Sequence, residues 1–455
     1  MTQYREEKDS MGSIRVPVGA YYGAQTQRAV DNFPISGQLM PPSFIHSLAL
    51  IKKAAAMANA TLGLLEQDLA DAIQQAAEEV IRGRMDDQFV VDVFQTGSGT
   101  STNMNMNEVL SSRANEMLTG RKGGKTPVHP NDHVNLGQSS NDVIPTTIHV
   151  AAFKQLRERL YPALDGLRAT LADKTNQFRQ IRKIGRTHLQ DAVPMTLGDE
   201  FGGYTRQIDL VHERFADVEN RLAELALGGT AVGSGINTHP DFASRVIAAV
   251  NAATGLDFRE AANHFQAQAS QDTAVELSGA LKTMAVAFVK IANDLRWLSS
   301  GPRCGLGEIN LPSLQPGSSI MPGKVNPVIP EAVLQVAAQV MGNDTTISIS
   351  GQSGNFELNV MLPVIAYNLL QSIDLLAAAA HVLDRKCLAD VSPNPDRCAA
   401  NIEQSLALVT GLVPLIGYDR AAAIAHDAYR SGRTIREVVQ SEGLLDDDTL
   451  EDVLS

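Results

Sequence analysis

The chain is predicted to be mainly α, built around a central bundle of long helices. Three observations predict this. Apolar residues recur at spacings of three and four over long stretches. Strand signals are sparse. The Gly-rich, polar breaks fall between the periodic stretches rather than inside them, at Gly97–Asn107, Gly185–Gly198, Gly228–Pro240, Gly301–Pro327 and Gly351–Asn355.

Residues before about 140 read as shorter helices and loops. The first long run carries Phe153, Leu156, Leu160, Leu164, Leu167 and Leu171. Pro162 falls inside it, so a kink or local break is expected there. The second run is Phe201, Tyr204, Ile208, Val211, Phe215, Val218, Leu222 and Leu225; the third is Leu277, Leu281, Met284, Phe288, Ile291, Leu295 and Leu298. Both alternate three and four without a slip, as a helix seam packed on other helices does. The third also carries Val275, Ala280, Ala285, Val286, Ala287 and Val289, which predicts burial on several sides. Further helices are expected at Glu331–Val340 and from Glu357 to about Leu383. Such helices would be about 15 to 45 Å long, and the width of their apolar faces suggests that subunits share the bundle. The tail after about Pro393 reads as short helices with an acidic end, Leu445–Ser455. The expected domains are 1–139 (mixed, mostly helical), 140–393 (long-helix bundle) and 394–455 (small, helical).

Bulk composition narrows the function. The chain has 455 residues, 44% hydrophobic and 20% charged, with a formal net charge of −13. That charge argues against a general binder of nucleic acid or anionic membrane. It allows an anionic small substrate, because a local cationic cluster can outweigh the global field. Cys304, Cys387 and Cys398 are few, odd in number and form no CxxC pair, so neither a disulfide framework nor a zinc knuckle is indicated. The start, MTQYREEKDSMGS, has no apolar stretch, and no uninterrupted apolar run approaches a membrane span. A cytoplasmic location is the simplest expectation.

Four polar stretches carry the candidate chemistry. Gln95–Glu108, QTGSGTSTNMNMNE, crowds Ser98, Thr100, Ser101, Thr102 and Asn103 around Gly97 and Gly99. It lacks the lysine of a phosphate-binding P-loop. His129–Asp142, HPNDHVNLGQSSND, places Ser139, Ser140 and Asn141 just before a long helix, where hydroxyl and N–H groups bind anions. His129 and His133 are spaced like a metal pair, but Pro130 and the lack of a third ligand argue against zinc. Gly185–Gln190, GRTHLQ, holds Thr187 and His188. Gly317–Pro327, GSSIMPGKVNP, must be a loop, with Ser318, Ser319, one cation (Lys324) and one amide (Asn326). Judged alone, Ser, Thr or Asn before a helix is more often a cap, and a lone His is more often structural. Together the stretches are complementary: many neutral donors, one Lys, one His and few carboxylates. That inventory suits a small dicarboxylate rather than a sugar, nucleotide or metal.

GSSIMPGKVNP resembles the signature loop of the aspartase/fumarase superfamily. QTGSGTSTNMNMNE, HPNDHVN with QSSND, GRTHLQDAVPMTLG, GGTAVGSGINTHP and GPRCGLGEI resemble its other shared blocks, in the same order. The resemblance runs from VPVGAYYGAQTQRAVDNFPIS to IGYDRAAAIA, essentially the whole chain. It implies a three-domain aspartase/fumarase-type fold. The chain is most similar to class II fumarases, the metal-free type that interconverts fumarate and L-malate. Aspartate ammonia-lyases share DQFVVDV, NDHVN and DAVPMTLG, but carry Gln where GRTHLQ has His188. QTGSGT and NTHP also favour fumarase. A non-catalytic, crystallin-type relative is the remaining alternative.

The resemblance implies anti elimination of water from malate through a carbanion. Ser318 matches the base, and Lys324 and Asn326 match the residues that hold the carboxylate taking up the charge. His188 handles the water at C2, with Glu331 as its carboxylate partner. Ser98, Gly99, Thr100, Ser139, Ser140, Asn141, Thr187, Ser319 and Val325 complete the implied substrate site. No cofactor or metal is implied. His129, Pro130, Asn131 and Asp132 resemble a second, non-catalytic dicarboxylate site. The Arg often found three residues before that block is Thr126 here, beside Lys125, which puts the second site in doubt. The family's homotetramer, with each active site assembled from three subunits, is the implied assembly.

Overall fold

The computed structural model describes residues 3–454. Ser455, the last residue of the expected acidic end, and Met1 and Thr2 lie outside the described residues. Among the described residues helices dominate, and the strands form five short two-stranded sheets. The chain divides into two compact units. The first comprises Met1–Pro162, Val211–Ala285 and Val336–Ala377; the second comprises Ala163–Leu210, Val286–Gln335 and Ala378–Ser455. Every dividing point falls inside a long helix.

In the first unit, the Ala-rich helix Pro42–Thr61 is central. It starts with Pro42 in its first turn, where a missing N–H costs nothing. It packs against helices Gln67–Ile81, Ser140–Gln155 and Phe242–Thr254. Phe44, Leu48, Ile51 and Ala55 are buried on it. The first periodic run begins in helix Ser140–Gln155, passes through a π-helical turn at Leu156–Leu160, and continues as Tyr161–Gln177. Phe153, Leu156, Leu160, Leu164, Leu167 and Leu171 are all buried. The expected break thus sits one turn ahead of Pro162: a ring with no N–H cannot follow the α ladder, and the chain widens there.

The second run forms helix Leu197–Leu222, its seam from Phe201 to Leu222 wholly buried. Leu225 falls outside it. It sits in a two-residue strand, Glu224–Leu225, that pairs in parallel with Arg259–Glu260. The third run forms helix Asp272–Leu298, and all seven seam residues are buried. Burial is not all round, however: Val286 is 54% and Trp297 53% exposed.

Two boundaries differ from expectation. The Glu331–Val340 helix extends over Val328–Gly351. The polar stretch Asn343–Ser350 looks like a helix end. Its Thr345 and Thr346 hydroxyls instead donate back to the Met341 and Gly342 carbonyls at 3.2 Å each. Asp344 takes Ser278 and Lys282 as partners at 2.8 and 2.6 Å. The last long helix starts at Leu362, not Glu357. Residues before it form a small hairpin, Gly354–Asn355 with Leu358–Asn359. Asn359 ends it, donating to the Ser350 carbonyl at 2.9 Å and accepting the Met361 N–H at 2.8 Å. Residues 362–388 are long and apolar enough to cross a membrane by length and composition, with 61% of the window buried by packing.

The tail is a cluster of short helices in the second unit. Leu412, Ile424, Ile435, Val438 and Leu450 form its core. A Thr434–Glu437 capping box starts one of these helices.

Candidate active site

The first unit brings two of the four stretches together. Gln95–Gly99 turns into helix Thr100–Thr119 with its backbone pressed against neighbours. A Cβ at Gly97 would lie 1.8 Å from the Val360 carbonyl oxygen. Gly97 itself accepts the Leu362 N–H at 2.9 Å. Gly99, at φ +71°, lies over Ile144. The Ser98 and Thr100 hydroxyls are 2.8 Å apart. Asn103 donates to the Ser140 hydroxyl at 2.9 Å, joining this stretch to QSSND.

Ser139 caps helix Ser140–Gln155, and its partner is Asp142 rather than the usual Glu or Gln. The Asp142 carboxylate accepts the Ser139 N–H at 2.9 Å. It also accepts the Gly228 and Thr230 N–H groups at 3.1 and 2.9 Å. Asn141 is held by the Ala231 carbonyl at 2.8 Å. Ser98, Gly99, Thr100, Ser139, Ser140 and Asn141 therefore sit at two neighbouring helix N-termini, an environment that favours an anion.

In the second unit, GRTHLQ is the tip of an antiparallel hairpin, Arg182–Thr187 with Gln190–Thr196. The two-residue turn is His188 and Leu189, at φ +55° and +62°. Such turns normally take Asn-Gly. A His-Leu pair there costs on the order of 1 kcal/mol per residue, and the strain presents Thr187 and His188 outward, both exposed. A register irregularity at Gly185 leaves no room for a side chain: a Cβ would meet the Val193 carbonyl at 2.9 Å.

The hairpin base is anchored by buried charge. Lys183 is 2% exposed and Glu308 0%. Lys183 bonds Glu200 at 2.8 Å and approaches Glu308 at 3.3 Å; Arg186 bonds Glu308 at 2.7 Å, and Asn401 adds a bond at 3.0 Å. Burial alone would raise the Glu308 carboxyl, but the Arg186 bond and the two cations outweigh it and hold it below the usual carboxylate range. Glu308→Gln should cost about 2–3 kcal/mol, because the half-buried Arg186 loses its carboxylate partner and buried Lys183 is left with Glu200 alone. Urea unfolding of parent and variant at neutral pH measures this; equal midpoints would make the anchor dispensable.

GSSIMPGKVNP is a loop closed on itself. The Gly317 N–H donates to the Lys324 carbonyl at 2.7 Å, and Asn326 donates to the Gly317 carbonyl at 2.7 Å. A Cβ at Gly317 would lie 2.7 Å from the Lys324 carbonyl oxygen. Inside the ring, the Ser318 hydroxyl oxygen accepts two backbone N–H groups, from Ile320 at 3.2 Å and Met321 at 3.0 Å. Ser319, Lys324 and Val325 are exposed. Glu331 lies in the first turn of the following helix, its N–H bonded to the Pro327 carbonyl. Among the described residues, the side chains of His188, Lys324 and Glu331 make no hydrogen bond or ion pair.

His129, Pro130, Asn131 and Asp132 lie at a π-helical turn, Pro130–Val134. The His129 Nδ1 accepts the Asn131 and Asp132 N–H groups at 3.2 and 3.1 Å. Burial lowers its pKa. With Nδ1 committed as an acceptor, its 3.3 Å approach to Asp132 is not an ion pair at neutral pH.

Residues 12–342 match the family described as Lyase, and 408–455 that described as Fumarase C C-terminus. The fumarate hydratase class II of Nitrosomonas europaea is 55% identical over 96% of this chain and 95% of its own length. The chain belongs to the class II fumarase family. A family member from Thermosynechococcus vestitus is 54% identical over 98% of this chain and 95% of its own. The crystal structure of class II fumarase from Schistosoma mansoni superposes with a TM-score of 0.96 at 41% identity. It covers 100% of this chain and 98% of its own.

Sequence reasoning passed over several residues that the structure places beneath these stretches. Glu308 lay in the quoted block GPRCGLGEI without a role. Lys52 lay unremarked in LALIKKAAAMANA, though two adjacent lysines in an apolar helix must point in different directions. Lys53 reaches Glu78 at 2.8 Å; Lys52 is wholly buried.

Proposed function

We propose that this chain catalyses reversible hydration of fumarate to L-malate, with Ser318 as the base at C3. The observation that carries the reading is the pair of backbone N–H groups already aimed at the Ser318 oxygen. A free serine is far too weak an acid to serve as a base. Preorganised donors stabilise its alkoxide where the charge sits.

In the elimination direction, Ser318 alkoxide takes the C3 proton. The electron pair spreads into the adjacent carboxylate, which Lys324 and Asn326 hold. The C2–O bond then breaks, and the C2 hydroxyl leaves as water with a proton from His188. Hydration reverses these steps. Glu331 fixes the His188 tautomer and raises its basicity. Ser98, Gly99, Thr100, Ser139, Ser140, Asn141, Thr187, Ser319 and Val325 bind the substrate carboxylates and hydroxyl. Gly317 and Gly323 let the loop close over substrate. His129, Pro130, Asn131 and Asp132 form a second dicarboxylate site, weakened by Thr126.

The working form is a cytoplasmic homotetramer with sites shared among three subunits. The unengaged side chains of His188, Lys324 and Glu331 support this, as do the exposed Val286 and Trp297 on a core helix. Incubation with L-malate, and separately with L-aspartate, tests the reaction through the ultraviolet absorbance of fumarate. Signal from malate alone is expected. Signal from aspartate alone would make the chain an ammonia-lyase, and none from either would make it non-catalytic.

A further inference from the structure

Asp142 poses an electrostatic problem. Its carboxylate is fully buried directly beneath Ser139, Ser140 and Asn141. It organises that turn by accepting three N–H groups. Burial raises the Asp142 carboxyl above its ordinary value, against the three N–H groups and the Lys52 charge, which favour the anion. In that ionised form it repels a carboxylate that the turn is meant to receive.

Lys52 supplies the opposite charge. Its ammonium, on helix Pro42–Thr61, is fully buried and donates to two neutral amides: Asn135 Oδ1 at 2.9 Å and Gln138 Oε1 at 2.9 Å. Asn135 Oδ1 also accepts from Asn103 at 3.2 Å and Asn107 at 3.1 Å. Asn103 passes the chain on to the Ser140 hydroxyl at 2.9 Å. A buried lysine without a contacting carboxylate is rare, because desolvation opposes its charge.

We propose that Lys52 is a positioning residue for the substrate carboxylate. Its charge balances Asp142 beneath the Ser139–Asn141 turn, and its bonds, through Asn135 and Asn103, set the Ser140 hydroxyl. This rests on the reading that the turn receives a substrate carboxylate.

Burial pushes the Lys52 amine down to about 7, against a partly compensating pull from Asp142. Its charge is therefore present below about pH 7 and lost above it. Several other charged groups on the surrounding elements are engaged elsewhere. Glu78 bonds Lys53, and Glu79 bonds Arg113. Glu108 accepts the Gly23, Gln25 and Thr26 N–H groups. The His133 ring accepts the His129 N–H, and the His149 ring bonds the Glu224 carbonyl. Arg245 is exposed.

The test measures kcat and KM for fumarate from pH 6 to pH 9 in the parent, Lys52→Met and Lys52→Gln. At pH 6 both variants should raise KM roughly ten-fold, the effect of a unit charge on the order of 10 Å away in a protein interior. Their kcat should stay within about three-fold of the parent. By pH 9 the KM ratio to parent should fall to within about two-fold, because the parent lysine is then neutral. A ratio independent of pH, or an unchanged KM at pH 6, overturns the proposal. So does full recovery in Lys52→Gln, which would reduce Lys52 to a hydrogen-bond donor. If neither variant folds, the parent alone decides: its KM must rise across pH 7, and a flat KM overturns the proposal. Ser140→Ala is the control for the underlying reading. If it leaves KM unchanged, the carboxylate assignment of the turn fails, whatever the lysine variants do.

Discussion

Ser318→Ala should lower kcat for malate dehydration by about 10²- to 10⁴-fold, the usual span for loss of a positioned base, while KM changes by no more than a few-fold. The split follows from geometry. Among the described residues, the Ser318 oxygen accepts only the Ile320 and Met321 N–H groups of its own loop. The ring that shapes the loop is closed by other residues, through Gly317, Lys324 and Asn326. Removing one oxygen therefore leaves the loop closed and the carboxylate contacts in place. Only the group that meets C3 is lost. Isotope exchange sharpens the test. In deuterated water the parent should wash deuterium into the C3 position of malate, and the variant should lose that exchange in parallel with turnover. A variant turning over near the parental rate would remove Ser318 from the role of base.

His188→Asn should lower kcat/KM for fumarate by about 10²- to 10³-fold while leaving the fold intact. Asparagine is the informative choice because His188 sits at φ +55°. Asparagine tolerates that conformation better than most residues, so the hairpin keeps its turn and Thr187 its place. The hairpin base, held by Lys183, Arg186 and Glu308, is untouched. The thermal midpoint should stay level or rise slightly as strain is relieved. A loss of activity with a falling midpoint would instead mark His188 as structural. Parental activity would leave the water at C2 without its proposed acid and base.

Much of this arrangement was legible in the sequence, for a definite reason. Chemistry concentrated in Gly-rich, hydroxyl-rich segments, where residue type and conformation are tied together. Gly317 is required because backbone passes 2.7 Å from where its Cβ would be. Ser139 announces itself as a cap because hydroxyls precede helices for a local reason. The seams from Phe201 to Leu222 and from Leu277 to Leu298 were readable because helical burial has a fixed period.

Other features were illegible because their causes are not local. Leu225 keeps the period of its helix but belongs to a strand, since its partner, Glu260, lies far along the chain. Helix Val328–Gly351 outruns its propensity because Asp344 finds Ser278 and Lys282 on another helix.

The sequence by itself determined the mainly α architecture, the family and the four stretches where chemistry concentrates. These depend on period, backbone conformation and residue type, which short segments carry alone. Tertiary structure decided which charges lie inside. It buried Lys52 and left Lys53 to pair with Glu78, placed Glu308 between two cations, and put Asp142 under the turn it shapes. Charge in a protein interior is set by what surrounds it in space, and neighbours from distant parts of the chain exist only once the chain has folded.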